Sequence, residues 1–169
     1  NAVKCRGIKL FDKDLHDMFV EPVKGTYPDL SFPAHSDGWY GANLLSQSAL
    51  YEIADARYND PLLKRVLELT YAQKKRLDPE ALLNNQTINA SDEKMIQQSY
   101  SFDASGFCLL RSDARTVVLK FGGEGIGHGH PDKLSITIHD GKNELVSDFG
   151  TSGYGVPDYL KWYKRSLSH

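Results

Sequence analysis

The sequence predicts an α+β chain, with helical hairpins in residues 1–97 and an antiparallel sheet from residues 98–169. Two observations support this division. Up to about residue 97 apolar side chains recur at helical spacing between recognisable helix stops. Beyond it, short alternating or β-branched runs are separated by glycine, Asp-Gly and Ser-Asp turns.

Taken in order, Lys9 to Phe19 supports a first helix, which Pro22 and Gly25 end or follow. Ala42, Leu45, Ala49, Ile53 and Ala56 then repeat at helical spacing through Gly41 to Tyr58. Asn59-Asp60-Pro61 stops that helix and starts another, because Asp60 suits a cap and Pro61 suits a first turn. The new helix carries Leu63, Val66, Leu67 and Thr70 on one stripe, and such short links join antiparallel helices. Asn84 to Glu93 reads as a polar surface connection, whose two Asn-X-Ser/Thr sequons acquire meaning only in a eukaryotic secretory setting.

In the second half, Gly106 to Arg111 and Thr116 to Phe121 flank the turn Ser112-Asp113-Ala114-Arg115, a hairpin signal. Leu134, Ile136 and Ile138 alternate with Ser135, Thr137 and His139, so the even-numbered face is expected to be buried. His128, His130 and Asp132 share that parity if the strand continues without a bulge. Asp140-Gly141-Lys142 reverses the chain, and Glu144 to Asp148 returns Asp148 toward the His130 end.

Composition excludes several classes. With 169 residues, 40% hydrophobic and 25% charged side chains, the chain is neither fibrous nor disordered in type. A net charge of -2 argues against a general nucleic-acid binder, and no apolar run approaches the roughly 20 residues of a membrane span. No signal-peptide pattern opens the sequence, but the chain begins at Asn1 without an initiator methionine, so this leaves export open. Cys5 and Cys108 read as buried thiols. Gly122-Gly123 with Gly125 and Gly127 is not a phosphate loop, because it precedes a strand and lacks the Gly-Lys-Ser/Thr ending.

The most informative run is Gly127-His128-Gly129-His130-Pro131-Asp132-Lys133-Leu134, answered by Ser147-Asp148-Phe149-Gly150-Thr151 and by His169. Histidines two residues apart at the head of a strand point the same way, and a carboxylate from the next strand with a third histidine makes an N,N,O donor set suited to a metal. The structural rival is a polar strand-end network without metal. His16 and His139 read as solvated or hydrogen-bonded histidines; Tyr27, Tyr40 and His35 are candidates for lining a cleft, against the favoured reading of aromatic packing and a loop histidine.

This run, together with Asp148-Phe149-Gly150-Thr151-Ser152-Gly153-Tyr154-Gly155 and Arg165-Ser166-Leu167-Ser168-His169, resembles the heparinase II/III-like superfamily of polysaccharide lyases. Tyr27-Pro28-Asp29-Leu30 to Pro33 and Asp37, then Leu50 to Tyr58, resemble the last helical hairpins before that family's β-domain. The resemblance implies the terminal part of an α/α toroid over residues 1–97 and the start of an antiparallel β-sandwich-like domain over 98–169, an internal fragment of a longer protein. It implies zinc held by His130, Asp148 and His169, with His128 facing an acidic polysaccharide that is cleaved by β-elimination. A toroid tyrosine and its Asn or His partner are expected upstream of Asn1, so the fragment alone is expected to be inactive. Among the tyrosines present, Tyr154 is favoured as a catalytic group because its Gly-Tyr-Gly setting exposes it on a turn.

Lys161 and Arg165 are candidates for gripping carboxylate or sulfate groups, against the rival of a solvated face. The resemblance further implies a bacterial periplasmic or secreted location. Two other readings compete with the lyase: a zinc-assisted glycan hydrolase and a non-catalytic module that binds acidic glycans.

Overall fold

The computed structural model describes residues 10–84, 86–88, 95, 98–113, 115–122 and 129–157. The chain divides into two compact units. One takes Asn1–Lys24 and Leu44–Met95, the other Gly25–Asn43 and Ile96–His169. The stretch 25–43, whose resemblance was to helical hairpins, therefore belongs with the sheet.

The first unit contains helices α1 (Lys13–Lys24), α2 (Ser48–Tyr58), α3 (Pro61–Gln73) and α4 (Pro79–Asn84), with a 3-10 turn over Leu44–Gln47 before α2. α1 starts four residues later than its apolar pattern suggests. The Asp12 carboxylate accepts the Leu15 N–H at 3.0 Å and so caps the helix at that point. Pro22 lies inside α1, two residues before its end, where it interrupts little of the hydrogen-bond ladder.

The break between α2 and α3 follows the expected chemistry. Asn59 adopts the left-handed conformation (φ 49°), the Asp60 carboxylate accepts the Leu62 N–H at 2.8 Å, and Pro61 occupies the first turn. The stripe Leu63, Val66, Leu67 and Thr70 is buried. Beside it Glu52, fully buried, accepts two hydrogen bonds from Arg76 (2.6 and 2.7 Å) and one from the Tyr71 hydroxyl (2.8 Å).

Asp55 is the counter-example in the same unit. It is buried, neither carboxylate oxygen accepts a hydrogen bond, and Lys64 Nζ stands 4.0 Å away. Burial holds its carboxyl above the usual carboxylate range. The folded state thus binds this proton more tightly than the unfolded state does. Stability from this group is full below the unfolded pKa and is lost as pH rises through the folded one. Asp55→Asn should abolish that acid-side gain and raise stability at neutral pH by about 1 kcal/mol. Urea midpoints of both proteins at neutral and mildly acidic pH test this, and parallel pH profiles would refute it.

The second unit is built on an antiparallel sheet of five strands in sequential order: β1 (Tyr100–Phe102), β2 (Phe107–Arg111), β3 (Thr116–Lys120), β4 (Ile136–His139) and β5 (Glu144–Val146). The β2–β3 hairpin closes through Ser112 N–H to Arg115 C=O at 2.9 Å, as the turn sequence implies. Gly141 (φ 91°) turns the β4–β5 hairpin.

The burial of β4 is opposite to the expected one. Leu134 and Ile136 are 72% and 49% exposed, whereas Thr137 and His139 are 0% and 2% exposed. The cause is the partner on that face. Tyr27 stacks on the His139 ring (centroids 4.6 Å apart), and its hydroxyl lies 2.6 Å from Thr137 Oγ1. Hydrogen bonding lets polar side chains take the covered side, where Tyr27 also packs with Leu109 and Val118. Nor does the strand reach back to His130. β4 begins at Ile136 and Leu134 has φ 63°, so strict alternation fails before the histidine run. Cys108, expected to be buried, is half-buried, and Cys5 lies outside the described residues. No described helix is long and apolar enough to cross a membrane.

Candidate functional site

The polar residues of interest gather where residues 35–38 meet the turn before β4 and the segment after β5, all within the sheet unit. Asp148 is buried. Its Oδ1 accepts the Gly150 N–H at 2.7 Å, an Asx-type turn that fixes the carboxylate, and its Oδ2 lies 3.8 Å from His35 Nδ1. Gly150 has φ 56°, and a Cβ there would stand 2.1 Å from the Gly38 carbonyl oxygen, so only glycine fits this approach. The Gly38 carbonyl also accepts the Thr151 N–H at 3.0 Å, tying the two segments together.

Asp132 is buried too, and its Oδ2 accepts the Ser36 N–H (3.0 Å) and hydroxyl (2.7 Å). His35 Nδ1 is 3.3 Å from Ser135 Oγ. One ligand atom each of His35, Asp132 and Asp148 lie within 4.8 Å of one another. Two buried carboxylates with one imidazole form an N,O,O set that is short of positive charge, and its donor types and convergence fit a zinc ion.

His130 is fully buried, with Nε2 2.9 Å from Asp37 Oδ1. A carboxylate on one imidazole nitrogen fixes the ring's orientation, the arrangement ligand histidines commonly show. The other oxygen of Asp37 accepts a hydrogen bond from the Tyr154 hydroxyl. Tyr154 itself is 60% exposed, in keeping with its turn setting. One carboxylate thus joins the buried histidine to the surface phenol.

Of the residues singled out by sequence, His130, Asp148 and Tyr154 fall in this region, and His128, Lys161, Arg165 and His169 lie outside the described residues. The donor set His35–Asp132–Asp148 shares only Asp148 with the set His130–Asp148–His169. The sequence alone favours a loop histidine at His35 and gives Asp37 no chemical role. Neither residue has a spacing signal, because they reach the cluster from about 100 residues away in the chain.

Residues 96–169, which include His130, Asp132, Asp148 and Tyr154, match the family "Heparinase II/III-like, C-terminal". Residues 96–169 are thus a heparinase II/III-like C-terminal region. The chain is 30% identical over 139 residues to an alginate lyase of Stenotrophomonas maltophilia (strain K279a), which covers 69% of this chain and 18% of that protein. An exo-oligoalginate lyase of Saccharophagus degradans is 32% identical over 63 residues, 31% of this chain and 9% of the relative. The chain therefore spans under a fifth of the curated relatives it matches.

Among solved structures, a heparinase III superposes with TM-score 0.65 at 19% identity, and its lysine-methylated form with 0.67 at 20%. Each covers 94% of this chain and 24% of that heparinase III chain, a likeness of fold. The heparinase-like arrangement of helices followed by an antiparallel sheet is thus the architecture of this chain as well.

Proposed function

We propose that the chain forms part of a polysaccharide lyase that cleaves a uronic-acid-containing glycan by β-elimination, beside a zinc ion. What carries this reading is the heparinase II/III-like match over residues 96–169, with alginate-cleaving enzymes among the relatives. The location we propose is periplasmic or secreted.

β-Elimination removes the proton α to the uronate carboxylate, forms a carbon–carbon double bond and breaks the bond to the glycosidic oxygen, which must collect a proton as it leaves. A proton acceptor, a proton donor and a group that offsets the enolate-like charge are required. His128 belongs to the neutralising or proton-transfer set in this proposal. Tyr154, whose hydroxyl donates to Asp37, would move a proton at the surface. Lys161 and Arg165 would hold the anionic groups of the polymer.

Zinc would be held by Asp148, with His130 and His169 as the superfamily resemblance implies, or with His35 and Asp132 as their convergence favours. When bound it would supply positive charge that fixes the loop presenting His128. Asp37 sets the orientation of the His130 ring in either case.

In the full-length enzyme, His128→Ala should reduce formation of the unsaturated uronate product by at least about 100-fold while leaving zinc content unchanged. Ultraviolet absorbance of the product and metal analysis of the same sample are the measurements. Full activity in that variant would remove His128 from the reaction, and products without unsaturation would replace elimination by hydrolysis.

A further inference from the structure

Beside the buried carboxylates lies an open-mouthed cavity of about 200 Å³, bounded by Pro33, His35, Ser36, Ser105, Phe107 and Lys120. It is smaller than the roughly 300–1,000 Å³ of sites for drug-sized ligands, so it takes one ring and not an oligomer. Phe107 and Lys120 are direct cross-strand partners in the β2–β3 register, which sends both side chains from the same face of the sheet. The wall therefore combines an aromatic ring with an ammonium group.

Among the described residues the lining contains no carboxylate and no ion pair engages Lys120. His35 and Ser36 belong both to this wall and to the carboxylate cluster. His35 Nδ1 is 3.8 Å from Asp148 Oδ2, and the Ser36 hydroxyl donates to Asp132 at 2.7 Å, which keeps its lone pairs available to a sugar hydroxyl. Ser105 supplies a second hydroxyl. A half-buried cation, hydroxyls and an aromatic ring beside one small cavity match a pyranose that carries one negative charge. A neutral sugar would leave the ammonium without a counter-charge.

We infer that this cavity is a subsite for a single uronate unit, with Lys120 the specificity-determining residue that pairs with its carboxylate. The inference rests on the lyase reading for its choice of sugar, but its test is separate from it.

Titration calorimetry of the protein with an alginate trisaccharide, and with the same trisaccharide after reduction of its carboxyl groups, reads the subsite directly. Lys120→Gln should weaken alginate binding roughly tenfold and leave the reduced sugar unchanged, and Lys120→Arg should retain most of the affinity. In turnover by the full-length enzyme the Lys120→Gln loss should fall on KM and spare kcat, as expected of a contact made equally in ground and transition states. Equal alginate affinity in wild type and Lys120→Gln, equal weakening for both sugars, or a wild type indifferent to the carboxyl groups would each overturn the inference. Lys120-dependent binding without unsaturated product would sink the lyase reading and leave the subsite standing. Unsaturated product at wild-type KM from Lys120→Gln would do the reverse.

Discussion

Arg76→Ala should destabilise the helical unit by about 3 kcal/mol, among the largest effects expected of a single change away from the site. Glu52 has no exposure to solvent and takes three hydrogen bonds, two from Arg76 and one from Tyr71. Removing the guanidinium leaves a buried carboxylate held by one phenol. The low end of the usual range is apt because the Arg76 side chain is 29% exposed, so water can partly replace it. The pair itself need not be strongly stabilising, since desolvation offsets most of its attraction. Glu52→Gln combined with Arg76→Met should therefore recover much of the loss. Urea denaturation followed by circular dichroism of the wild type and both variants separates these effects. Equal destabilisation by the single and double changes would contradict the account.

Local chemistry made the helices legible. Asp60 and Pro61 announce their own cap, and the Leu63, Val66, Leu67, Thr70 stripe needs only helical periodicity to be placed. The β2–β3 hairpin is equally local. What sequence could not show was the 25–43 segment lying with the sheet, because no periodicity marks a loop that packs by hydrogen bonding. That single fact inverts the faces of β4. Tyr27 satisfies Thr137 and stacks on His139, so polar residues take the covered side, and the alternation Leu134, Ile136, Ile138 misleads. It also supplies His35, Ser36 and Asp37, one partner in most of the polar contacts at the candidate site. The histidine run was readable as chemistry because its residue types are confined to a short motif. Its partners were not, because sequence separation hides them.

On the proposed zinc-lyase reading, Asp148→Asn in the full-length enzyme should lower zinc affinity by at least about 100-fold, and turnover with it, whichever histidines complete the site. Asp148 is the one residue common to both donor sets. Its replacement by an amide keeps the side chain's volume and leaves an oxygen to accept the Gly150 N–H, so the turn should survive while the charge is lost. Comparison with two further variants then assigns the donors. If the convergent set holds the ion, His35→Ala empties the site and His130→Ala leaves metal content high. If the superfamily arrangement holds, the order reverses, and Asp37→Asn weakens zinc binding by about 10- to 100-fold through the freed His130 ring. Zinc analysis of purified protein and the zinc-dependent rise in melting temperature read the result without an activity assay, because a ligand that binds only the folded state stabilises it in proportion to the logarithm of its concentration over Kd. Unaltered zinc content in Asp148→Asn would dismiss both sets together and leave the cluster as a hydrogen-bonded network that positions Tyr154 through Asp37.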